Sequence, residues 1–181
     1  MKKTIFITGT PCTGKTTVSE VLSNRLDCKL IKINDLAIEN DFVLGIDEDK
    51  GYKIIDIDAL NDKVSEIIGD SDELIIFEGH LAHLCSGADK VIVLRVHPEI
   101  LRKRLEARDY SQSKIRENLE AEAMGVCTAE AFDEYGDAIS EIDVGDLSIG
   151  DIVKLLCEVI LDNKKYPVGD VNFMDWLISN P

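Results

Sequence analysis

The segment Gly9-Thr10-Pro11-Cys12-Thr13-Gly14-Lys15-Thr16 fits the spacing G-x-x-x-x-G-K-[ST]. These residue types, in this order, suit the binding of a polyphosphate. Successive backbone N–H groups and the positive end of a following helix meet several negative charges at once. Glycines let the main chain approach without a side chain in the way. Lys15 adds a mobile cation for the β- and γ-phosphates, and the Thr16 hydroxyl is placed to ligate Mg²⁺. Gly9, Pro11, Cys12, Thr13, Gly14, Lys15 and Thr16 are thus the candidate residues of an ATP-phosphate loop. The P-x-x-G-K form is common to small kinases. A guanine-specific switch protein would carry N-K-x-D downstream; Asn163-Lys164-Lys165-Tyr166 lacks the aspartate.

Two further constellations could act on the same phosphates. Glu78-Gly79-His80 follows an apolar run. In an open α/β sheet, ligands sit beyond the carboxyl ends of the strands, so Glu78 is placed to hold Mg²⁺ or its waters. His80, two residues on, is placed to touch the γ-phosphate or position a water. Arg104 and Arg108 stand four residues apart, which predicts one helix face. Two guanidiniums there can bracket a polyphosphate and stabilise charge that develops during transfer. Asp109-Tyr110-Ser111 reads as a break, and a lid at that break would exclude water. His83 and His97 have no such context and read as structural or surface residues.

The elements that must position these groups alternate between short apolar runs and helical patterns, the mark of a parallel α/β fold. Strands are predicted at 4–8, 29–33, 74–77, 90–95 and 139–144. Helices are predicted at 15–26, 58–68, 98–108, 111–124, 128–138 and 149–162. In the first helix Val18, Val21, Leu22 and Leu26 share one face. Asn34 and Asp35 read as caps of a short helix from Leu36. The stretch 41–56 is acidic and shows no clear period. The tail, 164–181, is expected to pack back through Phe173, Trp176 and Leu177. No repeat, low-complexity tract or linker divides the 181 residues, so a single domain is expected.

Composition narrows the classes. No apolar run approaches the roughly 20 residues needed to span a bilayer, and the apolar segment after Met1-Lys2-Lys3 is too short for a signal peptide. A cytoplasmic location is expected. The five cysteines lack C-x-x-C spacing, which speaks against zinc or dithiol chemistry. A net charge of −15 disfavours bare nucleic acid and anionic membrane as partners. That charge is uneven. Seven basic residues lie between Arg95 and Arg116, whereas 117–151 holds eleven acidic residues and no Lys or Arg.

Taken together, several stretches resemble the archaeal and eukaryotic adenylate kinase isoenzyme 6 family, also described as coilin-interacting nuclear ATPases. They are Gly9 through Thr17, Asn34-Asp35-Leu36-Ala37, Glu78-Gly79-His80, Val93-Leu94-Arg95, Arg104 through Tyr110, and Asn118 through Ala131. The resemblance implies an α/β P-loop NTPase fold, three-layered, with a five-stranded parallel sheet. It implies a nucleoside-monophosphate-binding region at about 32–55 and a short lid at about 109–119. It assigns ATP phosphates to Cys12, Gly14, Lys15, Thr16 and Thr17. Arg108 matches the family's ATP-contacting lid arginine, and Arg104 its neighbour near the adenine. Glu78 and His80 match a D-x-H element linked with Mg²⁺ and ATP hydrolysis. At three positions this chain departs from the family pattern: Cys12 and Asp109 stand where glycine is usual, and Glu78 replaces the commoner aspartate.

The resemblance implies a kinase that moves the terminal phosphoryl of ATP to AMP or another nucleoside monophosphate, with ATPase activity besides. It also implies a part in small-ribosomal-subunit maturation and pre-rRNA processing, through transient contact with a ribosomal protein of the S-eleven family. The acidic 117–151 stretch would steer such a basic partner. The expected catalytic set is Lys15, Glu78, His80 and Arg108, with Thr16 and Glu78 as metal ligands. Direct in-line transfer is expected. The alternative is a ribosome-assembly ATPase whose kinase activity is incidental.

Overall fold

The computed structural model describes residues 2–181. In chain order the first elements are β1 (Lys3–Thr8), α1 (Lys15–Leu26), β2 (Lys29–Lys32), α2 (Ile33–Glu39), β3 (Val43–Ile46), β4 (Lys53–Ile55) and α3 (Ile57–Gly69). Then come β5 (Leu74–Glu78), β6 (Lys90–Arg95), α4 (Pro98–Glu106), α5 (Gln112–Met124), α6 (Val126–Tyr135), β7 (Ile139–Asp143), α7 (Ile149–Ile160) and α8 (Met174–Ser179).

Five strands make a parallel sheet in the order β2-β5-β1-β6-β7. Alternation along β1 explains its three layers. Ile5 and Ile7 point to one side, into a cluster with Val18 and Leu22 of α1, Leu101 and Leu105 of α4, Leu119 of α5 and Leu156 of α7. Phe6 points to the other side, against Phe77, Val91, Leu60 and Val64. The inner strands β1, β5 and β6 bury apolar side chains on both faces because helices cover both. Register places Ile7 beside Glu78, so the end of β5 lies next to the loop leaving β1.

Helix starts follow local chemistry. The Asp56, Ser111 and Ser148 side chains accept from backbone N–H groups three residues on, at the starts of α3, α5 and α7. Pro98 begins α4, where its missing N–H costs nothing.

Three expectations need correction. The aperiodic stretch 41–56 holds an antiparallel hairpin of β3 and β4, with a register shift between Val43 and Gly45. Strands this short with a bulge carry too few alternations to read. The turn is fixed by Asp47, whose Oδ1 accepts from the backbone N–H groups of Asp49 and Lys50. Helix α2 begins at Ile33, so Asn34 and Asp35 lie inside its first turn rather than capping it. Helix α4 ends at Glu106, two residues before Arg108. The tail does pack back: Phe173 and Trp176 are buried, and the Trp176 indole N–H donates to Glu99.

Candidate active site

The loop between β1 and α1 turns tightly over the carboxyl end of the sheet. A Cβ on Gly9 would stand 2.4 Å from the Leu94 carbonyl oxygen of neighbouring β6, so nothing larger than glycine fits. Gly14, at φ +97°, supplies the left-handed turn that starts α1. Cys12 stands at φ +68° and Asp109 at φ +56°. Both are in the left-handed region, where a Cβ is disfavoured. The two places where this chain departs from the glycine of the family it resembles are therefore places where glycine would be unstrained.

Lys15 is buried, and its Nζ donates to the Gly9 and Thr10 carbonyl oxygens at 2.8 and 2.9 Å. The ammonium thus ties the start of α1 to the first residues of the loop. Burial lowers its pKa, opposed by the neighbouring Cys127, Glu78, Cys12 and Glu122. Thr13 donates its hydroxyl to the Thr10 carbonyl, which closes the loop on itself. Thr16 and Thr17 are exposed at the start of α1.

Glu78 closes the other side. Its Oε1 accepts the Thr16 hydroxyl at 3.0 Å. Burial raises its pKa, opposed by the Thr16 hydrogen bond and the charge of Lys15. Mg²⁺ prefers hard oxygen donors and takes only one or two from protein when phosphates supply the rest. A hydroxyl and a carboxylate already within hydrogen-bond distance of each other fit that demand. Glu78, in place of the commoner aspartate, reaches Thr16 directly. His80 is half-buried nearby, and desolvation first, then the charge of Lys15, lowers its pKa to about 4. It is a neutral imidazole near pH 7, able to orient a water or an oxygen but not to act as a cation.

The arginines converge differently from the predicted helix face. Arg104 projects from α4, with Nη1 3.5 Å from the Cys12 carbonyl oxygen. Arg108 lies in the turn beyond the helix, held by its N–H to the Leu105 carbonyl. Both still line one hollow of about 500 Å³ with Cys12, Thr13, Gly14, Thr17 and the apolar wall of Leu147, Ile149 and Ile152. A separate hollow of about 250 Å³ is lined by Asn34, Ile38, Tyr52, Lys53, Ile55 and His80. Spacing missed both walls. Leu147 looks like a loop hydrophobe, Ile149 reads only as the start of the last long helix, and Tyr52 and Lys53 sit in the hairpin that went unread.

The charged runs also divide. Arg95 of the basic island is buried between Glu122 and Glu141 of the acidic run. Neither run is one continuous surface. His83 is structural: its Nδ1 pairs with the Thr8 hydroxyl at 2.6 Å and its Nε2 with Glu130 at 2.9 Å. His97 caps α4 and meets the Phe173 ring edge-on.

Sheet order, glycine loop, lysine and carboxylate together define the P-loop kinase fold. A family model described as an AAA domain matches residues 5–125. The chain is 42% identical over 175 residues to a protein of Methanothermobacter thermautotrophicus named "Putative adenylate kinase", covering 97% of this chain and 99% of the relative. It is 39% identical over 180 residues to one of the same name from Methanosarcina barkeri, covering 94% and 97%. The chain belongs to this adenylate kinase-type family. Among solved structures, shikimate kinase from Acinetobacter baumannii superposes with a TM-score of 0.62 at 16% identity, covering 90% of this chain and 94% of that one. That likeness speaks for the fold alone.

Proposed function

We propose that the protein is a nucleoside monophosphate kinase that transfers the terminal phosphoryl of ATP, with AMP the preferred acceptor. One observation carries this reading: besides the hollow at the phosphate loop there is a second, separate one, lined by residues of the 34–55 stretch and by His80, two residues beyond the Glu78 that meets Thr16. A simple ATPase needs only the first. The larger hollow takes the ATP nucleoside between Arg104 and the Leu147–Ile149 wall. The smaller, within the proposed acceptor region of 32–55, takes the monophosphate. Within the 109–119 segment, the turn ahead of α5 serves as the lid, while Ile115 and Leu119 are packed in the core.

In this reading the loop amides, Lys15 and Arg108 hold the donor phosphates and stabilise charge as it spreads over the moving phosphoryl. Thr16 and Glu78 would hold Mg²⁺, which when bound neutralises charge on the phosphate oxygens. Closure over Arg108 excludes water and favours transfer over hydrolysis. The acceptor phosphate already supplies an oxyanion, so His80 need only orient it. ATPase activity is the leak that remains when the smaller hollow is empty.

The names borne by the family members support this reading, as does the fold. Nucleoside monophosphates assayed singly with Mg-ATP test it. AMP should raise ADP formation well above that with ATP alone; no increase with any monophosphate defeats it.

A second role, in small-ribosomal-subunit maturation within the cytoplasm, is proposed from the sequence resemblance. Asp133, Glu134, Asp137, Asp143, Asp146 and Asp151 are exposed and suit a basic protein partner of the S-eleven kind. A pull-down with that ribosomal protein that stays empty at low salt would remove this role and leave the kinase reading intact.

A further inference from the structure

Asn118 and Glu122 stand four residues apart on the buried face of α5, 7% and 1% exposed. Helical spacing puts both on one stripe, among Ile115, Leu119 and Ala123. Packing alone asks for apolar residues there, because a buried polar group stabilises nothing unless it is satisfied. Both side chains are satisfied, and their partners belong to the two substrate-facing elements.

Asn118 Nδ2 donates to the Tyr52 phenol oxygen at 3.1 Å and to the Lys114 carbonyl at 2.7 Å. Tyr52 sits in the hairpin connection and lines the smaller hollow. The same stretch of α5 grips the hairpin twice more. The Lys114 ammonium lies 4.5 Å from the centre of the Tyr52 ring, and Glu117 pairs with Lys50 at 2.7 Å.

Glu122, one turn further on, reaches the opposite way. Its Oε2 accepts the Thr10 hydroxyl at 2.5 Å, while its Oε1 accepts from Arg95 Nε and the Val96 N–H, both at 2.9 Å. Thr10 is the corner of the phosphate loop. Its carbonyl receives Lys15 Nζ and the Thr13 hydroxyl, both at 2.9 Å. The guanidinium that anchors Glu122 is itself fixed by Glu141.

We infer that Asn118 and Glu122 are a pair of positioning residues that fasten the acceptor hairpin and the phosphate loop to a single helix, so that α5 sets the separation of acceptor and donor. The inference rests on the kinase reading above. Neither residue touches a reacting atom: Asn118 acts through Tyr52, and Glu122 through Thr10 and the lysine its carbonyl holds.

The two ends make opposite kinetic predictions. The experiment is steady-state ADP formation with Mg-ATP and AMP both varied, for Asn118→Ala, Tyr52→Phe, Thr10→Val and Thr10→Ser. Loss of one hydrogen bond corresponds to roughly five- to tenfold. Asn118→Ala and Tyr52→Phe, which delete one bond from its two sides, should each raise KM for AMP by that factor and leave KM for ATP within about twofold. Thr10→Val keeps the branched shape, leaves the Arg95–Glu122 pair intact, and should lower kcat by roughly tenfold. Thr10→Ser restores the hydroxyl and should restore kcat. Wild-type constants in Tyr52→Phe and Thr10→Val overturn the inference. So does a uniform loss in all parameters that tracks the melting temperature, or failure of Thr10→Ser to rescue. A wild-type protein that phosphorylates no monophosphate fails the kinase reading itself, and this inference with it. Normal wild-type transfer without the split fails the inference alone.

Discussion

The Thr16 hydroxyl donates to the Glu78 carboxylate at 3.0 Å, across 62 residues of sequence. The pairing is a consequence of sheet register. Ile7 lies beside Glu78, so the loop after β1 and the end of β5 meet at one point. Two hard oxygens brought together beside a buried lysine are what a magnesium–phosphate complex needs.

Glu78→Gln keeps the shape and the capacity to accept from Thr16 but removes the charge. Metal affinity in activity assays should fall by at least about 10- to 100-fold, the cost of losing even a group that only supports a metal ligand. Lys15→Met should lower turnover by about 10²–10³, as for other preorganised charge contacts. Titrating Mg²⁺ against ADP formation checks the first, and saturating single-turnover kinetics the second. Wild-type behaviour in either variant removes that residue from the site.

Cys12 and Asp109 both hold left-handed backbone with a side chain attached. Cys12→Gly should stabilise the protein by about 1 kcal/mol, since relief of about 1–2 kcal/mol outweighs glycine's greater unfolded-state freedom. For a chain of this size that is a rise of about 2–4 °C in Tm. Cys12→Ala retains a Cβ and should show no such rise. Equal melting temperatures for the two variants would sink the strain argument. Asp109→Gly should change stability less, because aspartate tolerates this conformation better than most residues.

At the opposite end of the sheet, Asp162 pairs with Lys3 at 2.6 Å and Lys90 at 2.5 Å. Hydrogen bonds from these two lysines hold its pKa at about 2, against an ordinary 3.8. A depressed carboxylate stabilises the fold above its unfolded pKa and loses that contribution as pH falls through the folded value. The Tm difference between wild type and Asp162→Asn should therefore be full above about pH 4 and shrink toward pH 2. Thermal melts across that range check it; a difference that stays constant with pH contradicts the pairing.

The sequence by itself determined the strand–loop–helix that binds phosphate. Gly9, Gly14, Lys15 and Thr16 fall within eight consecutive residues, so no distant contact is needed to align them. It also determined the parallel sheet, because the inner strands, covered on both faces, read as apolar runs and helices as 3.6-residue stripes. Tertiary structure decided what no local period encodes. The β3–β4 hairpin is set by one Asp47 turn and a bulge, and Arg108 comes to the hollow beside the phosphate loop from a turn rather than a helix face. The roles of Asn118 and Glu122 could be suspected from polar residues on an apolar stripe. Their partners could not, because Tyr52 and Thr10 lie 66 and 112 residues away, and only the packing of α5 against both the hairpin and the loop brings them within reach.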